Sequence, residues 1–220
     1  LMKISHFGFK IFFSISSLVQ IETFNIPPYW SLYLIYFVLL IGKLTGQFSK
    51  KYEQQMLLRL KNRKQWWMEI HLKIWLECMG YLAATAIAFL VFSFCKKSAV
   101  EGINLELLKD YLGLEINKNN FRIFSMVLVF FVALLALTYI QYIVSLVINA
   151  VTGILVSIVI LISSVYQIHP FLIGNYFMCI RQMMFAMDDV GFLTQGAVSV
   201  GIIFFIAVIG YQILKRKDLF

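Results

Sequence analysis

Residues 123–166 read IFSMVLVFFVALLALTYIQYIVSLVINAVTGILVSIVILISSVY, without a single Lys, Arg, Asp or Glu. Gln141 and Asn149 supply its only amide side chains. A helix needs roughly 20 apolar residues to cross the hydrocarbon core of a bilayer. The stretch is long enough for two such crossings, and Asn149 with Gly153 marks a tight turn between them. Two spans are therefore expected, at about 123–145 and 150–166. The His169-Pro170 pair then breaks the second helix, because proline removes a backbone donor and clashes with the preceding turn.

The same pattern continues outward along the chain. Hydrophobic residues make up 61% of the 220 and charged residues only 14%, where soluble domains lie nearer about 45–50% and 25%. Mean hydropathy is +0.83. One core in water could not hide so much apolar surface; a bilayer need not hide it. Further spans are expected at about 7–21, 29–45, 74–94 and 192–214, giving an all-α, polytopic membrane protein of about six helices in one domain, 1–220. The 7–21 stretch is short, carries Lys10 and also fits an interfacial amphipathic helix. No small-residue cleavage site follows it, so a retained segment rather than a removable leader is expected. Pro27-Pro28 separates it from the next span, whose Tyr29-Trp30 start fits an interfacial aromatic anchor. Trp66-Trp67 is expected where the 74–94 span meets the bilayer.

The net charge of +8 would raise the question of nucleic acid in a soluble protein. Here the basic residues cluster at the ends of apolar runs, which is the pattern of topology signals and lipid headgroup contacts. The richest cluster lies in 47–73, and a second closes the chain at Lys215-Arg216-Lys217. With six spans both fall on one side, the cytoplasmic side by the positive-inside rule. The loops at 22–28, 95–121 and 167–190 then lie outside. Cys78, Cys95 and Cys179 are too scattered for a disulfide framework or metal site and read as packing residues.

Catalytic patterns are missing from the sequence. No G-x-x-x-x-G-K-[ST] phosphate loop and no H-E-x-x-H occurs. His6, His71 and His169 are far apart, and the adjacent Asp188-Asp189 pair cannot face one another on a helix. An ionisable residue inside a span is a default functional candidate. Glu77 is that candidate, either as a polar group on a path or as an interfacial partner of Lys73. No enzyme activity is expected of the chain itself, and neither metal nor cofactor.

The 49–75 region reads as helix, turn and helix. Met56, Leu57 and Leu60 share one face of the first part, with Glu53, Gln55 and Arg59 on others. A basic amphipathic segment after the second span, followed by R-K-Q-W-W at 63–67, resembles the permease subunit of ABC-2-type transporters. The tail G-Y-Q-I-L-K-R-K-D-L-F at 210–220 is similar to that family's basic-basic-Asp-hydrophobic ending, and the resemblance covers roughly 29–220. It is further similar to small Gram-positive permeases that export peptides or antimicrobials. The family usually carries an amphipathic helix before its first span, whereas only about six residues precede 7–21 here.

The resemblance implies a coupling helix near Glu53, Met56, Leu57, Arg59, Leu60 and Arg63 that docks onto a separate ATPase subunit. That partner would bind ATP and Mg. Two permeases, the same or homologous, would pair with two ATPases in a bacterial plasma membrane. ATPase closure would move the second and fifth spans at the dimer interface and open a path for an amphipathic or hydrophobic substrate such as a peptide. The 171–189 segment would correspond to a short outer re-entrant element, with Met178, Met183, Met184 and Met187 as a soft lining or as ordinary packing. Two other readings are a structural or regulatory membrane subunit without a path, and a membrane-embedded enzyme.

Overall fold

The computed structural model describes residues 28–47, 63–96, 123–167, 169, 171–178, 181–182 and 189–216. These form five α-helices and one 3-10 turn, with no strand among the described residues. We label them α1 (Pro28–Gln47), α2 (Arg63–Lys96), α3 (Ile123–Val147), α4 (Ala150–Tyr166) and α5 (Asp189–Arg216); the 3-10 turn is Ile173–Phe177. The expected 7–21 span lies outside the described residues.

The charge-free stretch folds as a helical hairpin. Asn149 caps α4: its Oδ1 accepts from the Thr152 backbone N–H at 2.7 Å and from the Thr152 hydroxyl at 2.8 Å. These satisfy a donor that the first helical turn otherwise leaves open. Gly153 lies inside α4 rather than in the turn. Its role is close approach: a Cβ there would fall on Ser145 and lie 2.7 Å from the Gln141 carbonyl oxygen. α4 ends at Tyr166, just before His169-Pro170, and Gln167 donates its backbone N–H to the Ser163 carbonyl.

The central helix is α3, which packs against α1, α2, α4 and α5. Ala133 to Tyr139 is buried almost completely around its girth, as befits a helix apolar on every side. The neighbours run alternately up and down. At one end Trp67 of α2 meets Tyr142 of α3 at 6.3 Å between ring centroids, and the Trp67 ring also abuts Gly210 of α5. At the other end Tyr33 of α1 meets Tyr81 of α2 and Phe130 of α3, and Phe130 meets Phe177 of the 3-10 turn edge-on at 5.3 Å.

Basic residues separate by end. Lys43, Arg63, Lys64, Lys73, Lys215 and Arg216 all belong to the end where Trp67 lies, which we call the basic end. Among the described residues only Lys96 and Arg181 belong to the far end. Of the two basic clusters expected to share a side of a membrane, the described members (Arg63, Lys64 and Lys73 of one, Lys215 and Arg216 of the other) lie at one end of the bundle.

Three local readings change. The second helix expected within 49–75 and the span expected from 74 are one continuous helix, α2, which begins at Arg63 and runs for 34 residues. The W-W dipeptide is thus inside a helix, and nothing in 63–73 breaks helical periodicity. Trp30 is 3% exposed and Trp67 is 7% exposed. Neither side chain is a surface anchor; each fills the space between helices, where a large ring gains the most from burial. Among the described residues one helix, Met126–Val147, is long and apolar enough to cross a membrane. Trp30–Lys43, Ala150–Tyr166 and Gly196–Gln212 are shorter apolar helices.

Candidate functional site

The far end of the bundle holds the densest polar construction among the described residues, and it sits in the segment where a re-entrant element is expected. After α4 the chain turns at Gln167, forms the 3-10 turn, and returns to helical backbone at Arg181 and Gln182. Ile173 to Met178 is buried throughout. The turn packs against both α3 and α4. Gly174 permits the contact: a Cβ there would collide with Ser164 of α4.

Arg181 is only 1% exposed. Its Nη1 donates to the Ser164 carbonyl and to Asn175 Oδ1, and its Nη2 donates to the Val165 carbonyl at 2.8 Å. Asn175 Nδ2 donates in turn to the carbonyls of Gln167 at 3.0 Å and His169 at 2.9 Å. Gln182 Nε2 donates to the Tyr176 carbonyl. The last carbonyls of a helix have no partner within it, and the helix dipole favours a cation there. Arg181 therefore caps α4 from a distance in sequence. Burial lowers its pKa to about 10, and at neutral pH the guanidinium stays charged. Its Nε–H has no hydrogen-bond partner among the described residues.

A second polar group lies deeper, where α1, α3 and α4 meet. Gln141 Nε2 donates to the Val38 carbonyl of α1 at 2.8 Å, and the Ser157 hydroxyl of α4 donates to Gln141 Oε1 at 3.4 Å. Gly42 lets α1 close on this point, since a Cβ there would lie 2.7 Å from Ile154 Cγ1. Small residues and interhelical amide bonds of this kind hold helices together where the surroundings offer no hydrophobic drive. A third group sits at the basic end of α2. His71 Nδ1 is hydrogen-bonded to the Tyr139 hydroxyl, with Trp67 edge-on to the imidazole at 4.6 Å.

The site residues expected from the sequence are distributed as follows. Arg63 is the first residue of α2, while Glu53, Met56, Leu57, Arg59 and Leu60 lie outside the described residues. Met178 is fully buried in the hydrophobic core, which favours the packing role for it; Met183, Met184 and Met187 lie outside the described residues. Glu77 is half-buried on α2 beside Cys78. Cys78 packs as expected, with Sγ 3.5 Å from Thr138 Oγ1. No group of three His, Cys, Asp or Glu able to hold a metal occurs among the described residues.

Sequence reasoning missed Arg181. Its signal was available: it is the first charged residue after Arg122, and a lone charge after so long a neutral run calls for a dedicated partner. Comparison with family models, curated proteins and solved structures returned no match.

Proposed function

We propose that the chain is the membrane-spanning subunit of an ATP-driven exporter of the ABC-2 type, coupled to a separate ATPase and carrying an amphipathic or hydrophobic substrate, such as a peptide. The observation that carries the reading is the outward face of the bundle. On α4 the exposed residues are Val151, Leu155, Val159, Ile162 and Tyr166, an unbroken apolar stripe at helical spacing. Stripes of the same kind run along α1 (Leu32, Tyr36, Leu39), α2 (Met68, Leu72, Trp75, Leu76, Met79) and α5 (Val200, Phe204, Phe205, Val208), with Phe204 72% exposed. A soluble monomer rarely shows an apolar patch beyond a few hundred Å². Lipid is the solvent that such a surface suits.

In this reading all five described helices cross the bilayer, with the 7–21 segment as a sixth, and the basic end faces the cytoplasm. The 34 residues of α2 would be about 50 Å long at 1.5 Å per residue, against a hydrocarbon core of about 30 Å. Its first turns, with Arg63 and Lys64, would stand clear of the core and join the amphipathic stretch that docks onto the ATPase. Force applied there would pass directly into a helix that packs on α3. The apolar stripes of neighbouring α1 and α4 offer a continuous surface to a second permease subunit.

The test is co-purification with the ATPase encoded beside this chain. The wild-type chain is expected to retain the ATPase through detergent extraction, and Glu53→Arg or Arg59→Glu to lose it while the chain still reaches the membrane. An ATPase that never associates would end the transporter reading and favour a regulatory membrane subunit.

A further inference from the structure

The outward apolar faces of the bundle differ in height. α4 is closed by polar residues at both ends, with Asn149 as its N-cap and Gln167 as its C-cap. Its exposed stripe runs from Val151 to Tyr166, about 22 Å at 1.5 Å per residue. α1 packs directly on α4, and its stripe is no taller. Leu32, Tyr36 and Leu39 are exposed, and the next position in that row is the exposed Lys43. Gly42 abuts Ile154, so Lys43 lies at the depth of Ile154, about 18 Å from Tyr166 along α4. The lysine stem can carry its ammonium outward to the depth of Asn149. Two neighbouring helices thus agree on an apolar height of about 22 Å for this face. The exposed stripe of α2 is taller: it runs from Met68 through Met79 to Val91, about 34 Å. At the far end Tyr81 of α2 lies beside Tyr33 of α1; α1 stops soon after, at Pro28, whereas α2 continues to Lys96.

A typical hydrocarbon core is about 30 Å thick. The α2 face fills it, and the α1–α4 face falls short by about 8 Å. A bilayer meets a short apolar face by thinning beside it, at a cost that grows with the mismatch. Shorter acyl chains reach the same thickness without that cost. We propose that the α1–α4 face gathers phospholipid of short acyl chain, so that the bilayer is thinner along this face than along α2. The headgroups of the two leaflets then stand closer together beside α4 than beside α2. The proposal rests on the bundle's spanning a membrane, and not on ATP-driven export.

The experiment uses the full chain, otherwise free of cysteine, with a fluorophore on Val159→Cys of α4 or on Met79→Cys of α2. The two positions are 60% and 54% exposed, and each lies near the middle of its stripe. Each labelled chain is reconstituted at low protein density into vesicles of two phosphatidylcholines in equal amounts, with acyl chains of about 14 and about 20 carbons. One lipid at a time carries bromine on its chains, and the quenching reports that lipid's share beside the label. Around Val159→Cys the short-chain lipid is expected to exceed the long-chain one by about twofold or more. Around Met79→Cys no such excess is expected. Equal shares at both positions, or an excess of long chains at Val159→Cys, would overturn the proposal. So would a Val159→Cys label that neither lipid quenches, because protein would then cover the face. A chain that alkaline carbonate strips from the vesicles would overturn the membrane-spanning reading, and the proposal with it.

Discussion

At the scale of single residues, His71 is wedged between Trp67 and Tyr139 and hydrogen-bonded to the Tyr139 hydroxyl. Tyr139→Phe keeps the ring and removes that bond, and should lower stability by about 0.5–1.5 kcal/mol. Thermal unfolding in detergent beside the wild type checks this, and an unchanged Tm would mean that the bond does not help to hold α2 on α3. None of this was legible in the sequence, where His71 is one of three scattered histidines: its partner Tyr139 is 68 residues away. Gln141 was visible as a polar break in an apolar run, but its partners on α1 and α4 follow only from three helices meeting. Trp30 and Trp67 misled for a related reason. An aromatic at the end of an apolar run looks the same whether its ring faces lipid or a neighbouring helix.

At the scale of elements, the α3–α4 hairpin was readable almost to the residue. Length, the Asn149 cap and the following Pro170 act locally, and local signals survive in sequence. The continuity of α2 was less plain. A helix after Asn62 and a span from 74 were both readable, but that they are one helix rests on Trp67, Ile70 and Ile74, spaced on one face and buried in the core. The glycines separate into two groups for which composition gives no hint. A Cβ on Gly153 meets backbone and side chain of α3, whereas one on Gly80 meets nothing within 4 Å. Gly153→Val should therefore destabilise the chain by about 1–3 kcal/mol, the usual range for overpacking. Gly80→Ala should be neutral or stabilise by up to about 1 kcal/mol through helix propensity. Denaturation of both variants beside the wild type in one detergent checks the contrast. Equal effects would mean that the α3–α4 contact is not as tight as described.

At the scale of the whole molecule, function depends on what the bundle turns outward. Its core is ordinary: aromatic and aliphatic side chains of α1, α2 and α4 close on α3. Its surface is not, with apolar stripes on four helices and basic residues gathered at one end. Composition already carried the surface result, since 61% hydrophobic residues exceed what one core of this size can bury. The Arg181 cap was out of reach at this scale too. It joins a helix end to a residue 17 positions on, a link that periodicity does not encode.

The account stands or falls on the two ends of the bundle lying on opposite sides of a membrane. Single cysteines at Lys64, at the basic end, and at Phe171, at the far end, would be placed in a chain otherwise free of cysteine and treated with an impermeant maleimide in intact cells and in inverted vesicles. The account predicts that Phe171→Cys reacts only in cells and Lys64→Cys only in inverted vesicles. Reaction of both from the same side, or release of the chain from membranes by alkaline carbonate, would contradict it.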